Sequence, residues 1–229
     1  MEKIPVIAFE GINRAGKGTQ IEMLKQELDL LGMQTIILRG DGTRDGKGEH
    51  RGDPYDEGWI KNAGILRKGG SFNQWNEAAI ILVQEYIEWK KKLKELDNQV
   101  ILLDRSVVSR GSFILQKQPE FTGILEIQHL YPKSMDSQIK LEDVLPDVIF
   151  ELVASKETVL SRLDQSDPKY EFRKEIIDKT YDIFYSTKHN LPKIIQDKII
   201  TLDSNKPPHE VFDDVIFNLN EILEINKQL

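Results

Sequence analysis

Five short apolar runs punctuate the chain: IPVIAF (4–9), QTIILR (34–39), QVILLD (99–104), DVIFELV (147–153) and KIITLD (198–203). Uninterrupted apolar runs of this length predict strands buried on both faces. Between them the period changes. Residues 17–31 place Ile21, Leu24, Leu28 and Leu31 on one helical face, and 74–96 carry a stripe through Ala78, Ile81, Leu82, Ile87 and Leu93. Helices are also predicted over 156–164, 171–189 and 208–226. Strands alternating with helices predict an α/β fold, a five-stranded parallel sheet flanked by helices on both faces.

Two segments break the pattern. Residues 40–58, GDGTRDGKGEHRGDPYDEG, are dense in glycine and charge and predict a mobile loop. Residues 116–146 read as an insertion with short helices at most. No internal repeat and no Pro/Gly/Ser-rich linker divides the chain, so its 229 residues predict one domain.

Composition narrows the function classes. The net charge of −7 argues against a nucleic-acid-binding domain with a broad basic face. With no cysteine there is no disulfide, thiol chemistry or cysteine metal site, and His50, His129, His189 and His209 are scattered without ligand spacing. The start, MEKIPVIAFEG, is too short for a signal peptide, and no apolar run approaches the ~20 residues of a membrane span. A soluble cytoplasmic protein is expected, with no membrane partner.

The chemistry is concentrated in FEGINRAGKGTQ, residues 9–20. It follows a predicted strand and opens a predicted helix, the context of a phosphate-binding loop. Glycines let backbone N–H groups converge on phosphate oxygens, and the helix N-terminus adds partial positive charge. Lys17 then bridges the terminal phosphates. Where the motif usually has a magnesium-ligating hydroxyl the chain has Gly18, with Thr19 next. Magnesium is therefore expected to be held mainly through water and a carboxylate. Asp104 is the best candidate, since ligands sit at the carboxyl ends of parallel strands, and Glu10 lies close to the loop. Arg14, inside the loop, reads either as a catalytic cation or as a solvated charge. The base-reading Asn-Lys-x-Asp of a GTPase is absent, and LLDRS ends the third strand without a carboxylate pair.

In this order of elements the sequence resembles the thymidylate kinase family. FEGINRAGKGTQ is similar to that family's phosphate loop. LLDRSVVSRGSF is similar to its D-R-Y-x-x-S element, with Ser109 at the matching spacing. LPDVIFELVASKETVLSR, DPKYEFRKEIIDKTYDIFY and ITLDSNKPPHEV are similar to its fourth strand and helix, its lid and its closing loop. The resemblance implies the P-loop NTPase fold, ATP as donor, Mg²⁺ as cofactor, a nucleoside 5′-monophosphate as acceptor and a homodimer. It implies catalytic roles for Lys17, Arg14, Asp104 and Arg105, and metal roles for Asp104 and Thr19. Its ATP site maps onto Gly11, Asn13, Arg14, Ala15, Gly16, Lys17, Gly18, Thr19, Arg162 and Ser204. Its lid maps onto about 162–173, with Arg162, Lys169 and Arg173 as cations.

The acceptor side departs from the family. The candidates there are Glu10, Asn13, Arg39, Arg44, Phe72, Tyr86, Arg105 and Ser109. Tyr86 falls near the place of the family's acceptor-phosphate arginine, Asn13 replaces its loop aspartate, and Ser106 replaces the tyrosine after Asp-Arg. Phe72, just before the helix, is the candidate to stack on a base; Trp75, Tyr86 and Trp89 read chiefly as core. DRS also resembles deoxynucleoside kinases. Three readings stay open: a deoxynucleoside monophosphate kinase acting on dTMP or a related nucleotide, a deoxynucleoside kinase, and a non-catalytic nucleotide-binding regulator.

Overall fold

A computed structural model describes residues 5–39, 99–106, 109, 145–187, 189, 191 and 193–223. The predicted 40–58 loop, the 74–96 helix and nearly all of 116–146 lie outside them.

The apolar runs become the five strands β1 (Val6–Glu10), β2 (Gln34–Arg39), β3 (Gln99–Asp104), β4 (Val148–Val153) and β5 (Ile199–Asp203). They form one sheet in the order β2-β3-β1-β4-β5, every pair parallel. The central position of β1 explains why all five of its residues are buried. Phe9 of β1 and Phe150 of β4 are opposite each other, their rings 5.5 Å apart. Burying a side chain of this size contributes about 1.5–3 kcal/mol. At the sheet's amino end the Asp147 carboxylate accepts from the Val6 N–H at 2.9 Å, which ties the entry of β4 to that of β1.

Helix α1 (Lys17–Leu30) starts directly from the loop after β1. Its buried Ile21, Leu24 and Leu28 are the predicted stripe. It stops one residue earlier than predicted, because Gly32 takes a left-handed φ of 75°. That lets Gly32 N–H and Met33 N–H bond back to the carbonyls of Asp29 and Leu28 at 3.1 and 3.0 Å. Helix α2 (Lys156–Ser161) is capped by Ser155, whose Oγ accepts from Thr158 N–H at 3.1 Å. It ends at Ser161 rather than 164, leaving Arg162 as its C-cap.

Helix α3 (Tyr170–Thr187) packs Ile177 and Phe184 inward. Its Tyr181 and Tyr185 hydroxyls donate to the carbonyls of Ala154 and Leu152 at 2.7 and 3.1 Å. Burial raises the Tyr185 hydroxyl far above the ordinary tyrosine range. A single turn, α4 (Lys193–Gln196), was not anticipated. Helix α5 (Pro208–Leu223) packs against α1, with Val211, Val215 and Leu219 buried. Among the described residues no helix is long and apolar enough to cross a membrane.

Candidate active site

The site lies at the carboxyl end of the sheet, where β1 and β3 finish. Chain reversal after β1 requires unusual backbone. Gly11 has φ 140°, and a Cβ there would lie 2.8 Å from the Leu152 carbonyl oxygen and 3.0 Å from the Ala15 Cβ. Arg14 has φ 70° and Gly16 φ 106°, both left-handed. Strain of this kind concentrates at ligand-binding sites. Lys17, 7% exposed, folds back over the loop, and its Nζ donates to the carbonyls of Gly11 and Ile12 at 2.9 and 3.2 Å.

The loop is also held from behind. The Ser204 hydroxyl at the end of β5 donates to the Ala15 carbonyl. Arg162 donates to the Arg14 carbonyl at 3.1 Å and to the Ser204 carbonyl at 2.7 Å. Asn205 accepts from Ser155 N–H at 2.8 Å, joining the start of α2 to the same turn.

On the other side Arg105 follows β3 with φ 81° and is 8% exposed. Its guanidinium donates to the Gly11 carbonyl at 3.2 Å, Ser109 Oγ at 2.8 Å and Asn13 Oδ1 at 2.7 Å. Behind it Glu10 is fully buried. The Glu10 carboxylate accepts from Ser106 N–H, from the Ser106 hydroxyl at 2.7 Å, from Ser109 N–H at 3.2 Å and from the Ser109 hydroxyl. A buried carboxylate needs such donors. Glu10 therefore holds the segment after β3 in place, while the resemblance counted it among the acceptor contacts.

A cavity of about 480 Å³ opens over the loop. Of the expected donor-site residues, Asn13, Arg14, Gly16, Lys17, Gly18, Thr19, Asp104, Arg162 and Ser204 line it. Gly11 and Ala15 are buried beneath and shape the loop from below. Asp104 is half-buried, and its Oδ1 has no hydrogen-bond partner among the described residues. Gly18 has no atom within 4 Å of where a Cβ would stand. Among the described residues no cluster of three or more His, Asp or Glu forms a metal cage.

The lid cations divide. Arg162 lines the cavity, whereas Arg173 pairs with Asp167 at 3.0 Å and Lys169 is exposed away from the wall. Asp164, beside them, has its carboxyl held below the ordinary range, first by hydrogen bonds from Ser166 and then by the charges of Arg14 and Arg173. Arg44, Phe72 and Tyr86 lie outside the described residues, as does the Arg39 side chain. Gln20, Lys206, Pro208 and Val211 complete the wall without a motif signal of their own. Their signal was only adjacency, since Gln20 ends the phosphate-loop stretch and the others lie in SNKPPHEV.

No family model matches the chain. The thymidylate kinase of Mycoplasma capricolum subsp. capricolum is 23% identical over 235 aligned residues, covering 97% of each chain. That of Mesoplasma florum is 23% identical over 234, covering 97% of this chain and 98% of that one. The solved structure of thymidylate kinase from Candida albicans superposes with a TM-score of 0.59 at 18% identity, over 99% of this chain and 93% of that one. The superposition agrees with the P-loop α/β fold, and the two alignments run over nearly the whole chain. The chain is thus similar over nearly its whole length to thymidylate kinases, at 23% identity, and shares their α/β fold.

Proposed function

We propose that the chain moves the γ-phosphoryl group of ATP to the 5′-phosphate of a deoxynucleoside monophosphate, converting dTMP to dTDP. The observation that carries this reading is the convergence of Lys17, Arg14, Asp104 and Arg162 on one cavity over the phosphate loop. Phosphoryl transfer asks little covalent work of a protein; it needs two anions aligned and their charge neutralised. Lys17, already beside the loop carbonyls, exchanges these contacts for the terminal phosphates. Arg14, exposed at the cavity, reaches the transferring group. Arg105 is too committed to roam, and its fixed fork orients Asn13 and Ser109 toward the acceptor.

Magnesium fits the residues present. The partnerless Oδ1 of Asp104 and the hydroxyl of Thr19 would hold it, with water in the space Gly18 leaves open. When bound it would neutralise charge on the phosphate oxygens. Arg39, Arg44, Phe72 and Tyr86 complete the acceptor side in this proposal, and Lys169 and Arg173 act when the lid closes. A cytoplasmic homodimer belongs to the same proposal.

The test is ADP release from Mg-ATP with a panel of nucleosides and nucleoside monophosphates. Turnover with dTMP is expected. The Candida albicans enzyme is described as broad in substrate specificity, so the panel includes the other deoxynucleotides. Turnover confined to nucleosides would make the chain a deoxynucleoside kinase. ATP binding without turnover on any acceptor would make it a nucleotide-binding regulator.

A further inference from the structure

The Ser109 hydroxyl stands between two charged groups. Its Oγ accepts from the Arg105 guanidinium at 2.8 Å, and the same hydroxyl donates to Glu10 Oε2. A guanidinium has donors only, so the hydroxyl meets it with a lone pair and must send its one proton elsewhere. The Glu10 carboxylate, which only accepts, takes that proton's bond. All three groups are withdrawn from water: Glu10 is 0% exposed, Ser109 1% and Arg105 8%.

The carboxylate is itself anchored. Its other oxygen, Oε1, accepts from Ser106 N–H, from the Ser106 hydroxyl at 2.7 Å and from Ser109 N–H at 3.2 Å. Two of these donors are backbone groups of the segment after β3, so Oε2 is left aimed at the Ser109 hydroxyl. The charge of Glu10 thus reaches Arg105 across a single hydroxyl. Buried surroundings strengthen such coupling, because little water screens it. Arg105 also donates to two neutral acceptors of the phosphate loop, the Gly11 carbonyl and Asn13 Oδ1.

We propose that Glu10 is a positioning residue: through the Ser109 hydroxyl it holds the Arg105 guanidinium in the orientation that grips the acceptor phosphate. The proposal rests on Arg105 facing the acceptor, as in the function proposed above. Glu10→Gln separates charge from shape. The Ser106 and Ser109 N–H groups keep the amide oxygen at the place of Oε1, so the amide nitrogen falls at the place of Oε2. Ser109 then meets a donor on each side, and its hydroxyl loses the acceptor of its proton.

The experiment is steady-state kinetics with Mg-ATP and dTMP on the unmodified protein, Glu10→Gln, Ser109→Ala and the double variant. Glu10→Gln should raise the KM for dTMP about tenfold, the scale of one lost bond to a charged group. The KM for ATP should stay within about twofold, since the side-chain bonds of Ser109 run to Arg105 and Glu10. In the Ser109→Ala background the Gln substitution should add less than about twofold, because the link it acts through is already gone. A loosened fold would raise both KM values, with or without Ser109. An unchanged KM for dTMP, an equal rise in both values, or an undiminished effect in the Ser109→Ala background overturns the assignment and leaves the functional reading standing. Should Glu10→Gln not fold, Ser109→Ala decides alone: it should raise the KM for dTMP about tenfold, and an unchanged value overturns the assignment. If the unmodified protein does not turn over dTMP, the functional reading falls and takes the assignment with it.

Discussion

Arg105 donates to the Asn13 side-chain oxygen at 2.7 Å, a bond that spans 92 residues of sequence and joins the end of β3 to the phosphate loop. The acceptor is neutral, although a carboxylate stands at this position in the family pattern. The guanidinium already makes this a charge-assisted bond, and a carboxylate acceptor would add the attraction of a second charge. Asn13→Asp should therefore raise the free energy of unfolding by about 1 kcal/mol in urea denaturation. The gain should vanish in an Arg105→Ala background; if it persists there, the carboxylate is acting on some other group.

Lys17 is the cation on which the donor reading depends most. Lys17→Ala should cut turnover by about a thousandfold or more, the scale of a lost phosphate-neutralising group. Circular dichroism should show the fold retained, because the side chain bonds two carbonyls of the loop itself. A variant turning over at normal rate would displace the chemistry from this loop.

Gly18 has open space around its missing side chain and an ordinary backbone conformation. Gly18→Ser should thus fold with a stability change within about 0.5 kcal/mol. Its hydroxyl can then take the place of a water on the metal, so half-maximal activity should be reached at lower Mg²⁺. An unchanged or higher Mg²⁺ requirement would show that the metal sits away from this residue.

Gly11 should behave in the opposite way. A methyl group there meets the Leu152 carbonyl at 2.8 Å in a left-handed backbone. Gly11→Ala should cost about 3 kcal/mol, combining backbone strain and overpacking. Chemical denaturation reads this directly, and a loss under about 0.5 kcal/mol would mean the loop stands clear of β4.

The turn that carries Ser204 contains its own pH-sensitive contact. Asp203 is held below the ordinary carboxyl range by the backbone N–H and then the side-chain amide of Asn205. A depressed carboxyl contributes stability above its unfolded value, near pH 3.9, and loses it as pH falls through the folded value. The contribution should be intact at pH 7 and disappear under acid conditions. An NMR titration should place the Asp203 midpoint below that of an unstructured aspartate, and Asn205→Ala should move it up. The group is exposed, so the effect on overall stability is small.

Contiguous features were legible in the sequence. β2 and β3 begin and end where their runs do, because the apolar stretch of each is continuous in the chain. The phosphate loop was legible because its glycines, lysine and flanking elements are adjacent in the chain. What escaped depends on distant partners. Nothing near Gln20 announces that it will meet Pro208, 188 residues away. Glu10 looked like a ligand contact because it precedes the loop, and only the fold brings Ser106 and Ser109 onto its carboxylate. The lid offered three cations of equal standing. The early end of α2 is what turns Arg162 back to the loop, while Asp167 takes Arg173. The four-residue α4 is too short for periodicity to reveal.

The clasp on the loop from Ser204 and Arg162 has a consequence for synthesis on the ribosome. The hydroxyl that braces Ala15 belongs to a residue translated 189 residues after it. At 5–20 residues per second that interval is roughly ten to forty seconds. During it the nascent chain carries a phosphate loop without its brace.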